Sequence, residues 1–253
     1  MGDKDKVVAI IPSRLESTRL PNKAIRKICG IPLIVHVMKR CLMAKKLSEV
    51  FVATDSEIIA KEVSNWGGKF IITRSSHVCG TDRIAEAAEE IEADIIVNIQ
   101  GDEALVKPQH IDTAVTMMLE NPTINVGILV NKYFKENNPS DIKVVLNEKS
   151  EVMYLSRNDI PSTQRNKKAQ RLKAYHVVPF RKKFLLQYTK WKPTALEQIE
   201  FNEYLRILEK GFTIKAAEVS SSAISVDTPQ DLAFVRKKMP EDSHFKKYSV
   251  QSK

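Results

Sequence analysis

The chain has 253 residues, a formal net charge of +9, 43% hydrophobic residues and three scattered cysteines, which suits one large α/β domain or a domain with a small appendage. No window reaches the roughly 18 uninterrupted apolar residues of a membrane span, residues 1–6 are charged with no apolar signal core behind them, and Cys29, Cys41 and Cys79 lack paired metal-ligand spacing. The expectation is a soluble, cytoplasmic protein with no membrane partner, and no nucleic acid either, because the excess charge lies in Lys-rich helix faces and residues 165–173 without an aromatic stacking platform.

The first β-branched run, residues 7–11, reads as a buried parallel strand. It empties into Pro12-Ser13-Arg14-Leu15-Glu16-Ser17-Thr18-Arg19-Leu20-Pro21-Asn22-Lys23, where Glu16 is the only acid. Two guanidinium forks and a mobile ammonium among hydroxyls and backbone amides suit a polyphosphate. The loop contains no Gly-x-Gly and no Gly-Lys-Ser/Thr, so it is neither a dinucleotide fingerprint nor a Walker loop. Solvated surface charge is the bland alternative.

Residues 29–32 read as a turn, and Leu33, Ile34, Val37, Met38 and Cys41 recur at helical spacing. Alternation continues with a strand at 50–55, a helix at 56–66 closed by Gly67-Gly68, a strand at 69–73, a helix at 81–91 and a very apolar strand at 93–100. This order predicts an α/β fold with a doubly wound, mostly parallel sheet and ligands at the carboxyl ends of its strands. After a helix at 108–121 the pattern changes to shorter strands at 125–130, 141–146 and 151–156, with a polar loop at 163–170. A strand at 175–180, helices at 181–190 and 195–210, a strand at 212–217 and a helix at 228–239 complete the chain before a polar tail. The expected organisation is one domain over 1–239, with about 125–210 as a smaller lobe and 240–253 as a weakly ordered tail.

Three motifs fall just after strands. In Gln100-Gly101-Asp102 an apolar strand ends in a carboxylate, and the glycine admits close approach of a ligand; a polar strand end is the alternative. In Asp227-Thr228-Pro229-Gln230-Asp231 helix capping explains every residue except Asp227. Gly80-Thr81-Asp82-Arg83 opens a helix, and capping accounts for three of its four residues. Arg157 carries a fork that fits a carboxylate, or is a surface arginine at a strand end.

Taken together, Ile-Pro-x-Arg-x-x-Ser-Thr-Arg-Leu-Pro-x-Lys, Gly-Thr-Asp-Arg, Gln-Gly-Asp-Glu, residues 138–145, residues 154–161 and Val-Asp-Thr-Pro resemble, in order, the motifs of sugar nucleotidyltransferases. The closest resemblance is to the cytidylyltransferases that activate 3-deoxy-manno-octulosonate (Kdo). It implies a nucleotide-diphospho-sugar transferase-like, Rossmann-like fold with a smaller dimerisation and acceptor subdomain, a homodimer, and transfer of CMP from CTP to a small acidic sugar with release of pyrophosphate. It further implies Arg14, Lys23, Asp102 and Asp227 as catalytic residues, the last two as carboxylates for Mg²⁺. Pro12, Ser13, Arg14, Ser17, Arg19, Lys23, Thr81, Asp82, Arg83, Gln100 and Gly101 would bind the nucleotide, and Gln100, Arg157, Ala174, Glu200, Glu203 and Tyr204 the acceptor.

The acceptor side departs from the family pattern. Residues 174–181 replace a His-x-Gly-x-Tyr-x-Tyr-Arg run, with Ala174 at the His position and both Tyr hydroxyls lost, and Asn202 and Tyr204 stand where the family has Leu and Gln. Lost hydrogen-bonding groups change which substrate is accepted. The expectation is a Kdo-like acceptor that is a modified octulosonate; the alternatives are another acid, either a nonulosonate or a small phosphonate, or a catalytically silent nucleotide-binding homologue.

Overall fold

The computed structural model describes residues 5–249 apart from Thr18, Val78, Lys167, Ser222 and Ala223. The chain divides into two compact units, residues 1–112 with 223–253, and residues 113–222.

Strand β1 (Val7–Ser13) is buried along its whole length. A 3-10 turn at Lys23–Ile25 leads to the short antiparallel pair β2 (Lys27–Ile28) and β3 (Ile31–Pro32). Cys29 and Gly30 join them with φ of 48° and 85°, the pair of positive values that a two-residue type I′ hairpin turn requires. Helix α1 (Leu33–Cys41) follows, buried at all but one of its positions. Strand β4 (Glu49–Thr54), helix α2 (Glu57–Asn65), strand β5 (Lys69–Ile72), helix α3 (Gly80–Glu89) and strand β6 (Ile95–Ile99) continue the alternation. Ser56 caps α2 by accepting from the Ile59 amide, which fixes where that helix begins.

Strands β4 and β6 both pair with β1 in parallel, and β5 pairs in parallel with β4. The order β5-β4-β1-β6 puts the reversal of winding between β1 and β6. Beyond the carboxyl ends of those two strands lies the crevice in which such sheets bind ligands.

Helix α4 (Pro108–Glu120) carries the chain into the second unit. There β7 (Val126–Tyr133), β8 (Lys143–Leu146), β9 (Val152–Ser156), β10 (Arg171–Tyr175) and β11 (Val177–Arg181) are antiparallel neighbours. Helices α5 (Lys182–Tyr188), α6 (Ala195–Glu200) and α7 (Leu205–Glu209) precede β12 (Ile214–Glu218), which pairs in parallel with β7. Phe180, Phe184, Tyr188, Trp191, Tyr204 and Phe212 stack into an aromatic layer.

The second unit differs from the sequence pattern in two places. The strand expected at 175–180 is two strands on either side of His176. The first escapes a hydrophobicity reading because Arg171 and Lys173 are kept in the sheet by acids: Arg171 by Glu136 and Asp159 at 3.4 and 3.6 Å, Lys173 by Asp141. The helix expected at 195–210 breaks at Phe201, which adopts φ 48°. The break lets Arg206 Nε reach Glu197 Oε2 at 2.7 Å, although residues nine apart in a continuous helix lie about 13.5 Å apart along its axis.

Helices α8 (Pro229–Lys238) and α9 (Ser243–Ser249) return to the first unit, so the segment expected as a weakly ordered tail is structured at least to Ser249. Asp242 caps α9 through the amides of His244 and Phe245, and the same carboxylate oxygen receives the buried Arg40 guanidinium at 2.6 Å. Buried Tyr248 lies 2.7 Å from Nδ1 of buried His36, whose Nε2 lies 2.9 Å from the Ile28 carbonyl. A carbonyl only accepts, so the ring proton sits on Nε2 and Tyr248 donates to Nδ1. Among the described residues no helix is long and apolar enough to cross a membrane.

Burial pushes His36 down from 6.5 to about 4. Its folded value lies below its unfolded one, so its contribution to stability is complete above pH 6.5 and is lost as the pH falls toward 4. Denaturant unfolding should show a wild-type stability loss over that window that is smaller in His36→Gln. His110 and His244, also lowered, titrate in both proteins and cancel in the difference.

Candidate active site

Three segments of the first unit converge beyond β1 and β6. The loop after β1 is pinned by buried Leu20, and Asn22 takes a left-handed conformation (φ 57°) that starts the 3-10 turn at Lys23. Arg14 and Arg19 remain exposed. Strand β6 delivers Gln100, Gly101 and Asp102. A β-carbon on Gly101 would stand 2.7 Å from the Pro12 carbonyl oxygen, so only glycine lets the two strand ends come this close. The third segment is tied in by its backbone, the Val226 amide donating to the Asp102 carbonyl at 3.0 Å.

These anchors bring Lys23, Asp102 and Asp227 together. Lys23 Nζ donates to Asp102 Oδ2 at 2.7 Å and Asp227 Oδ1 at 3.1 Å, and Arg19 Nη2 lies 3.0 Å from the same Asp227 oxygen. Asp231 closes a capping box with Thr228 and also accepts the Asp227 amide, which leaves the Asp227 side chain to face the cations. Burial alone would depress the Lys23 ammonium, but the charge and hydrogen bonds of Asp102, then of Asp227, hold it above the ordinary lysine value. It therefore stays charged at neutral pH.

The resulting cleft encloses about 310 Å³. Of the expected nucleotide residues, Pro12, Ser13, Arg14, Ser17, Arg19, Lys23, Arg83, Gln100 and Gly101 line it, with Asp102 and Asp227. Thr81 and Asp82 are not on that wall. Buried Thr81 instead accepts from Asn98 Nδ2 at 3.3 Å, while Asn98 Oδ1 accepts from Gln100 Nε2 at 3.3 Å. The Arg83 guanidinium donates to Thr73 Oγ1 at 2.6 Å and Asp55 Oδ2 at 2.9 Å, bracing the wall. Thr18, expected among the loop donors, lies outside the described residues.

Sequence reasoning missed Asn98, Asp55, Thr73, His77 and Cys79, the last two on the cleft wall. Asp55 had a signal: it follows β4 as Asp102 follows β6. Asn98 had one too, being a lone polar residue inside an apolar strand, which burial obliges to find hydrogen-bond partners.

The expected acceptor residues other than Gln100 belong to the second unit. Arg157 donates from Nε to the Glu200 carbonyl, from Nη1 to that of Pro139 and from Nη2 to that of Phe201, at 2.8, 2.8 and 3.1 Å. It thereby closes the end of α6, whose last carbonyls have no partner within the helix. Glu200 accepts from Ser156 Oγ and the Arg157 amide, at 2.7 and 2.8 Å. The Glu203 carbonyl accepts from Tyr188. Ala174 is buried in register with Val130, and buried Tyr204 stacks near His176 and Phe180.

Among the described residues no group of three or more His, Cys, Asp or Glu is arranged for a metal. Asp102 and Asp227 nevertheless flank one cation position, held here by the Lys23 ammonium. Two hard oxygen donors with open sides suit Mg²⁺, which commonly takes one or two carboxylates together with substrate phosphates.

The family model described as cytidylyltransferase matches residues 8–216. A 3-deoxy-manno-octulosonate cytidylyltransferase of Geobacter metallireducens is 40% identical over 92% of this chain and 98% of its own length, and one from Escherichia coli is 37% identical over 94% and 97%. A solved CMP:2-keto-3-deoxy-manno-octonic acid synthetase, complexed with CTP, superposes with a TM-score of 0.90 at 37% identity, over 93% of this chain and 99% of that one. The chain belongs to the cytidylyltransferase family, alongside its 3-deoxy-manno-octulosonate members, as the motif order implied.

Gly101→Ala should push the end of β6 away from Pro12. A stability loss of about 1–3 kcal/mol is expected from such overpacking, read by urea unfolding.

Proposed function

We propose that this chain transfers CMP from CTP to 3-deoxy-manno-octulosonate with release of pyrophosphate, in a Mg²⁺-dependent reaction. The observation that carries the reading is the cleft itself, where an exposed cationic loop after β1 faces two carboxylates, one after β6 and one just before α8. The acceptor's anomeric oxygen attacks the α-phosphorus, the bond from that phosphorus to the oxygen bridging to the β-phosphate breaks, and the hydroxyl proton passes to solvent. Arg14, Arg19 and Lys23 neutralise the charge that builds on the phosphates and on departing pyrophosphate, so catalysis comes mainly from positioning and electrostatics. Asp102 and Asp227 would hold Mg²⁺, which when bound supplies Lewis acidity to a phosphoryl oxygen. Gln100, its amide set by Asn98, faces the cleft as a hydrogen-bonding group for sugar or acceptor.

The unmodified acid is favoured over a modified octulosonate. Ala174 and Tyr204, two of the departures from the family pattern, are buried against β7 and in the aromatic layer, so packing accounts for them without a changed ligand. The proposal includes a homodimer, to which exposed Phe134, Ile199 and Phe201 offer apolar surface.

Pyrophosphate release with CTP, Mg²⁺ and either Kdo or its 8-amino analogue tests the acceptor; faster turnover of the analogue would replace Kdo in the assignment. Asp102→Asn and Asp227→Asn should each lower kcat on the order of a hundredfold or more with the fold retained by circular dichroism. Normal turnover in either variant would refute the role given to that carboxylate.

A further inference from the structure

The Lys23 ammonium stands where a divalent ion would have to stand. It lies 2.7 Å from Asp102 Oδ2 and 3.1 Å from Asp227 Oδ1, with Arg19 closing on the same Asp227 oxygen at 3.0 Å. An ammonium has three donors, and two of them are occupied by these carboxylates. A metal ion on the same oxygens would be within a few ångströms of a full positive charge in a partly buried site, where like charges repel strongly. The two occupants exclude each other.

The geometry also shows what is free to move. The backbone at Lys23 is fixed by the 3-10 turn, by the Arg26 amide donating to the Lys23 carbonyl and by buried Ala24 beside it. The side chain is a four-carbon stem with a point charge, which can swing between acceptors without demanding the planar geometry of an arginine. The strongest competing acceptor the cleft can receive is a phosphate chain, lying against Arg14 and Arg19 of the same loop.

We propose that Lys23 is a resident counter-ion that closes the Asp102–Asp227 pair to divalent cations until a triphosphate draws its ammonium away. This rests on the metal role given to the two carboxylates above. Metal and nucleotide then assist each other's binding through one lysine, and reciprocity makes the effect equal in both directions. The arrangement also keeps two facing carboxylates neutralised in the unliganded protein.

The test uses Mn²⁺ as a paramagnetic probe of the full-length protein without nucleotide, read by electron paramagnetic resonance. Lys23→Met should bind Mn²⁺ at least about tenfold more tightly than wild type, the factor corresponding to 1.4 kcal/mol, and Lys23→Gln should do the same if the methionine variant does not fold. Adding Asp102→Asn to either should erase the gain. Equal affinity in wild type and the lysine variants overturns the inference, as does a gain that survives Asp102→Asn. A parallel titration with CTP present reads the metal assignment itself. Mn²⁺ binding there that ignores Asp102→Asn overturns that assignment and the inference with it, whereas an Asp102-dependent site indifferent to Lys23 overturns the inference alone.

Discussion

One ammonium between two carboxylates holds the working end of this protein together. Asp102 follows β6, Asp227 precedes α8 and Lys23 opens a turn twelve residues after the Val7–Ile11 run, so a single side chain bridges three segments far apart in sequence. Two carboxylates facing one position repel unless a cation stands between them, and the partial burial of all three groups makes the pairing stronger than a surface contact would be. The close approach at Gly101 and the backbone bond from Val226 to Asp102 make the pairing reachable.

A loop carrying Arg14, Arg19 and Lys23 repels itself, so its shape has to come from elsewhere. Below it the β2–β3 hairpin is held from the far end of the chain: Arg236 donates twice to the Lys27 carbonyl, and the His36 ring joins the Ile28 carbonyl to Tyr248. Helix α1 is buried nearly all round because it is covered on both sides, by β1 and β4 and by α9. The last helices are thus part of the frame beneath the hairpin that follows the basic loop.

The second unit shows polar side chains turned to the service of the backbone. Lys143 is completely buried and donates to the Asn138, Asp141 and Arg157 carbonyls, with burial pulling its ammonium below the ordinary lysine value despite Asp159 and Asp141. Arg157 does the same for the end of α6. A guanidinium fork fits three backbone carbonyls as well as it fits a carboxylate, so the residue type at position 157 does not by itself separate ligand binding from a structural role.

What the residues alone determined is the part governed by near neighbours. Apolar periodicity marked the alternating strands and helices of residues 7–112, Thr228 with Pro229 and Asp231 marked the start of α8, and the ordered motifs marked the family. Tertiary structure decided the rest. The 195–210 helix reads as continuous because its apolar spacing is regular, whereas the bonds made at its break, among them those of Arg157 and the Glu197 to Arg206 ion pair, come from the folded chain. Segment 240–249 reads as a polar tail because most of its residues are polar, and it is α1 that supplies the distant partners, His36 for Tyr248 and Arg40 for Asp242. The site follows the same division: the resemblance implied that Lys23, Asp102 and Asp227 share a site, whereas the direct bonds from Lys23 to both carboxylates were not legible. Lys23 and Asp102 are 79 residues apart, Lys23 and Asp227 are 204 apart, and His36 and Tyr248 are 212 apart. Local propensity acts over a few residues, whereas contacts at those separations exist only once the sheet has packed and brought its strand ends together.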